Sequence, residues 1–249
     1  MAKQKGIIKL AGTIGDISFY KSKDGYLARE KGGVEADRIK NDPAFARTRE
    51  NGQEFGMAAK AGKLLRDAAR PLMMRAADNR AVSRITKLMS DIRKLDDVSP
   101  RGERTVGVAI ANQAAKDLLN GLNFNNRATL SSILFHPYTL DNSTGNITIV
   151  DINMLNDVVA PRGATHVAFT SAWGKIDFVT GEFNVELSNT TNSPITNTLS
   201  TLALAPAQAP SGTGTDVFFF MIEFFQELNG SQYSLNNGQY NALSIIDVV

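Results

Sequence analysis

Hydrophobic positions follow two rhythms along this chain, and the change between them falls near Gly121. Before that point, Ile14, Ile17 and Phe19 stand among polar residues, Lys23-Asp24-Gly25 offers turn chemistry, and Tyr26-Leu27-Ala28-Arg29 resumes an extended run. That pattern predicts a β-hairpin, which Gly32-Gly33 then interrupts. Asp42 suits a helix N-cap, and Pro43 suits the first helical position because its missing N–H would be unpaired there anyway. A helix is predicted from Pro43 to about Arg70, where Pro71 ends or kinks it. Val82, Ile85, Met89, Ile92 and Leu95 recur at three-and-four spacing and predict a second helix, from about Leu72 or Arg80 to Leu95. A third is predicted over Glu103–Leu119, with Gly121 as its stop.

Beyond Gly121, Asn, Thr, Ser, Val and Phe dominate, a texture of strands and turns. Phe183, Val185 and Leu187 alternate with Glu182, Asn184 and Glu186, as in a half-buried strand, and Asp177–Leu187 reads as a hairpin around Thr180-Gly181. Asp216–Leu228 reads as a strand buried on both faces: Phe218, Phe220, Ile222 and Phe224 fill one, and Val217, Phe219, Met221 and Phe225 most of the other. Asn236-Asn237-Gly238 predicts a turn, and Ala242–Val249 a last strand. The expected fold is α+β: an N-terminal β-hairpin, a segment of about three helices, and a C-terminal antiparallel β-sandwich or barrel. The expected divisions are a hairpin arm over residues 1–40, a basic helical region over 41–122, and an acidic β-rich domain over 123–249.

Charge sharpens this division. The net charge of +2 conceals 25 Lys and Arg against 15 Asp and Glu up to Arg127, then 2 against 10 from Ala128 onward. The halves therefore carry +10 and −8, and no basic residue follows Lys175. Such an imbalance bears on partners rather than on fold. Of the 249 residues, 43% are apolar and 21% charged, which argues against wholesale disorder. The absence of cysteine excludes disulfides, thiolate metal sites and a cysteine nucleophile. The opening residues contain no apolar stretch resembling a secretory signal. The longest apolar run, Val217–Phe225, is broken by Glu223 and too short to span a bilayer. The expectation is a protein with no membrane span, cytoplasmic or released without an N-terminal signal.

The run GTIGDISFYKSKDGYLAREKGGV, followed by DPAFARTRENGQEFGMAAKAGKLLR, resembles the opening of a group of uncharacterised bacterial proteins. The shared pattern is a Gly-x-x-Gly hairpin ending in Tyr, a Gly-aromatic strand with a basic residue, and a helix bearing spaced Arg and Phe. The matching positions are Gly12, Gly15, Tyr20, Gly25, Tyr26, Arg29, Phe45, Arg47, Arg49 and Phe55. The resemblance covers about the first quarter of the chain and implies a reused scaffold, with no activity carried over.

Catalytic signals are thin. The two histidines, His136 and His166, lie far from any metal-ligand spacing, and structural roles are expected for both. No Gly-x-Ser-x-Gly elbow or phosphate-cradling loop is present. Glu223 and Glu227, inside an apolar strand, suit either a cleft or an exposed or paired edge. No enzyme, cofactor or metal is expected. Two basic stripes stand out on the helices, Lys60, Lys63, Arg66 and Arg70 on the first and Arg80, Arg84, Lys87 and Lys94 on the second. They suit either a phosphate backbone or a solvated face diluted by Asp67, Asp78 and Asp91. Gly52, Gly56 and Ala59, with Gly62 nearby, leave one stretch of the first helix bare. Each interior Gly costs a helix about 1 kcal/mol relative to Ala, so close approach of another element, within the chain or between copies, is expected in return.

Complementary charge at the two ends, a bare helix face and an extended hairpin point first to a self-assembling structural protein, a filament, tube or shell subunit whose partner is itself. Gly12, Gly15, Tyr20, Tyr26, Gly52, Gly56 and Ala59 are the candidate assembly residues. The alternative is a nucleic-acid-binding protein that uses the basic stripes.

Overall fold

A computed structural model describes every residue except Lys31 and Ala77, and all side chains of those except that of Asn236. The chain divides into two compact units, Met1–Arg49 and Glu50–Val249.

The first unit contains β1 (Ala2–Lys3), β2 (Gly12–Ile14), β3 (Ile17–Ser22), β4 (Gly25–Glu30) and α1 (Ala36–Asn41). The expected hairpin is β3–β4, and the short β1 and β2 widen it into an antiparallel sheet of order β1-β4-β3-β2. Gly25 (φ 107°) closes the β3–β4 turn and Gly15 (φ 56°) the β2–β3 turn, conformations that glycine adopts without a Cβ penalty. At Asp42 the carboxylate accepts a hydrogen bond from Ala44 N at 2.9 Å, so it caps a single 3-10 turn, Pro43–Phe45. No described residue in this unit is buried.

The helices that follow are α2 (Ala46–Ala68), α3 (Arg70–Met73), α4 (Ala81–Arg93), α5 (Val106–Ala109), α6 (Gln113–Leu119) and α7 (Leu130–Ile133). The expected third helix is in fact two, because Asn112 breaks the run and caps α6 through Ala114 N at 3.0 Å. Next come β5 (Thr139–Asp141), β6 (Asn146–Asn153), α8 (Met154–Asp157), β7 (His166–Ile176), β8 (Phe183–Leu187), β9 (Thr191–Pro194), β10 (Leu199–Leu204), β11 (Thr215–Leu228), β12 (Ser231–Ser234) and β13 (Ala242–Val248). The protein is α+β, as expected.

β11 organises the second unit. It pairs antiparallel with β7 from Thr215–Ile176 to Phe225–His166. Its other edge takes β13 and then β12, while β8 and β9 share the far edge of β7. Val217, Phe219 and Met221 join Leu65, Leu72, Ile85 and Met89 of the helices in one core. The alternate residues Phe220, Ile222 and Phe224 join Ile147 and Ile149 of the small sheet β10-β6-β5 in another. The strand is covered on both faces because its sequence is apolar at both parities.

This arrangement revises the expected boundary at residues 122/123. Helical and strand residues share a core, so the 41–122 and 123–249 segments do not form separate units. The division lies at Arg49/Glu50.

Candidate functional site

One face of the sheet in the first unit gathers apolar side chains. Cross-strand partners lie on the same face of an antiparallel sheet, so the pairs Ile14–Ile17, Phe19–Ala28 and Lys21–Tyr26 place these six residues on one side. Ile14 and Ile17 are exposed, as are Ile7 and Ile8 in the preceding loop. Gly12 also lies on this face, opposite Phe19. Tyr26 lies between Lys9 and Lys21, whose ammonium groups are 5.8 and 5.6 Å from its ring centre. On the other face Arg29 lies over Tyr20 at 5.6 Å, and the Tyr20 hydroxyl donates to Met1 Sδ at 2.8 Å. This unit carries 11 Lys and Arg against 6 Asp and Glu, a net +5.

A second set of exposed apolar residues lies on the other unit, in the segments around α7, α8 and the small sheet. Phe135, Val150, Leu155, Val159 and Leu199 are each more than half exposed there. Hydrogen bonds bring their segments together: Phe135 N donates to Asp157 O, Val159 N donates to Ile133 O, and Leu199 pairs with Asn153. His136 bridges the same region, its Nε2 2.8 Å from Val150 O and its Nδ1 3.1 Å from Asp157 Oδ2. Asp151 and Asp157 lie among these residues, and residues 128–161 contain no Lys or Arg.

The bare stretch of α2 behaves differently from one glycine to the next. At Gly62 a Cβ would lie 3.4 Å from Ile85 Cγ2 and 3.6 Å from Met89 Cγ, so here close packing against α4 is realised. Around Gly52 and Gly56, apart from their chain neighbours and the helix's own backbone, no atom of the described residues lies within 4 Å of a Cβ position. The expected compensating approach inside the chain is therefore missing at these two residues. With the exposed Phe55 and half-buried Ala59 they form one helix face at i, i+3, i+4 and i+7 spacing.

The residues of the two basic stripes differ in how they are engaged. Lys60 and Arg70 are exposed, but Lys63 pairs with Asp67 at 2.5 Å, and Arg66 turns back over Gly62, its Nη1 3.4 Å from that Cβ position. Lys87 is exposed, and Lys94 pairs with Asp91 at 2.6 Å. Arg84 is anchored: it reaches Asp78 at 2.7 Å and donates to the carbonyls of Asn123 (3.2 Å) and Phe124 (2.9 Å). Arg80 is exposed and lines a cleft of about 890 Å³ with Arg84 and with Arg127, which lies outside both stripes. Burial pushes the Asp78 carboxyl up, yet the N–H groups of Arg80 and Asn126 and the Arg84 guanidinium outweigh it and hold it below its ordinary 3.8.

Glu223 proves to be an internal ion-pair partner. It is buried and bonds to Arg75 at 2.5 Å, and burial raises its carboxyl above the ordinary value despite the opposing Arg75 charge. Glu227 is exposed, 3.5 Å from His166. Among the described residues no group of three or more His, Asp or Glu could hold a metal ion, and no helix is long and apolar enough to cross a membrane. Comparison with protein-family models, curated proteins and solved structures finds no match to this chain.

Proposed function

We propose that the chain is the subunit of a self-assembling structural protein, of filament, tube or shell type. In this reading the N-terminal sheet of one copy docks on the Phe135–Leu199 surface of the next. The observation that carries it is a four-stranded sheet with no buried residue and an apolar face built around Ile14, Ile17, Phe19 and Tyr26. Small sheets hold together in water when an apolar face is covered, so this one calls for a partner surface. Charge supports a second copy as that partner: the sheet unit is +5, whereas the receiving surface carries Asp151 and Asp157 and no Lys or Arg. A contact between two different surfaces of one chain is heterologous, and repetition closes a ring or extends a filament. The open Gly52–Phe55–Gly56–Ala59 face suits a further contact.

The alternative, nucleic-acid binding along the two helical stripes, has less support. Lys63, Arg84 and Lys94 are engaged in ion pairs and Arg66 is turned inward. Sedimentation velocity and negative-stain electron microscopy of the nuclease-treated protein test the assembly. Wild type is expected to form large particles at low salt. The Ile14→Glu/Ile17→Glu variant and Phe135→Asp, both altered at exposed positions, are expected to melt like wild type and sediment as monomers. A wild type that stays monomeric at high concentration and low salt sinks the reading.

A further inference from the structure

The cleft at Asp78 gathers three arginines from two separate parts of the chain. Arg80 and Arg84 flank and enter α4, and Arg127 belongs to the loop before α7. The carboxylate among them, Asp78, is fully engaged. It accepts from Arg80 N at 2.7 Å, from Asn126 N at 3.1 Å and from Arg84 Nη1 at 2.7 Å. Neither the Arg80 nor the Arg127 guanidinium has a hydrogen-bond or ion-pair partner among the described residues. The remaining lining is neutral and polar, including Ser83, Asn237 and Gln239. Three cations against one carboxylate leave the cleft at about +2, an excess that a bound anion would neutralise.

We propose that this cleft binds a phosphoryl group. Guanidinium forks match phosphate oxygens in two-point hydrogen bonds, and a dianion matches the excess charge. Arg84 supplies a fixed wall, because its bonds to Asp78 and to two carbonyls already hold its side chain in place. Arg80 and Arg127, exposed and unengaged, close on the ligand from the rim. The phosphoryl group comes either from a small phosphorylated molecule or from a nucleic-acid backbone, since both present the same oxygens. The proposal is independent of the assembly surfaces, none of whose residues line the cleft.

Isothermal titration calorimetry at constant ionic strength tests it, with inorganic phosphate, pyrophosphate and a short single-stranded oligonucleotide as probes. Pyrophosphate is expected to bind saturably at one site per chain. The Arg80→Gln/Arg127→Gln variant should bind at least 10-fold more weakly while keeping the wild-type melting temperature, as neither guanidinium holds the fold together. Tighter saturable binding of the oligonucleotide, lost in the same variant, would assign the phosphoryl group to a nucleic-acid backbone; pyrophosphate binding alone would assign it to a small molecule. Absence of saturable binding by all three probes, or binding unaffected in the double variant, overturns the proposal.

Discussion

Replacing Arg84 with Met separates a structural anchor from a solvated helix cation. A solvated cation on a helix face contributes within about 0.5 kcal/mol, and its loss would be barely measurable. Arg84 is placed otherwise: its side chain is 27% exposed, and that of its partner Asp78 only 11%. Met fills a similar length of cleft wall while removing one charged contact to Asp78 and the donors to Asn123 O and Phe124 O. Removing one partner of a buried pair costs about 3–5 kcal/mol. Here water reaches part of the guanidinium site and Asp78 keeps two backbone N–H donors, so about 2–4 kcal/mol is the expected loss. Urea unfolding at neutral pH, with unchanged slope, measures it.

The same pair gives a pH signature. The Asp78 carboxyl lies below its ordinary 3.8 in the fold, so its stabilising contribution is present above that value and is lost as pH falls through the lower folded value. Without Arg84 the carboxyl titrates higher and contributes less at neutral pH. The stability gap between wild type and Arg84→Met should therefore narrow as pH drops below the ordinary carboxylate range. A loss under 1 kcal/mol at neutral pH, or a gap that widens on acidification, would refute the anchoring argument.

Two further substitutions probe the packing of the second unit. Glu54→Ala should cost about 3–5 kcal/mol in urea unfolding, because it strands the buried Arg93, 2.9 Å away, and the Gly102 N–H, 2.8 Å away. A cost below 1 kcal/mol would show that water replaces the carboxylate. Gly238→Ala should lower the melting temperature by well over the few degrees of an exposed substitution, since its φ of 76° disfavours a side chain and a Cβ would overlap the Arg75 carbonyl oxygen. An unchanged melting curve would contradict the close approach of Gly238 to Arg75.

The rhythm of the sequence was enough for the class of fold and for several elements, among them β3–β4, α4 and β11. An apolar run at both parities over Val217–Phe225 implied a strand covered on both sides, and β11 sends Val217, Phe219 and Met221 to one core and Phe220, Ile222 and Phe224 to another. The spacing of Val82, Ile85, Met89, Ile92 and Leu95 implied the buried side of α4; Ile85, Met89 and Ile92 are buried there, Leu95 is half-buried and Val82 is exposed. Such patterns are legible because an element's own geometry sends i+2 or i+3/i+4 neighbours to one face, whatever that face meets. What it meets is decided only when distant segments come together. Arg84 and Lys87 share one stripe in sequence, yet Arg84 is pinned because Asp78 and two carbonyls almost forty residues downstream converge on it, while Lys87 is exposed. Glu223 finds Arg75 across 148 residues, and Arg127 enters the cleft from outside both stripes. The boundary near residue 122 dissolved for the same reason. Charge and texture change there along the chain, but apolar side chains from both sides gain most by leaving water together, and that merger has no local signature.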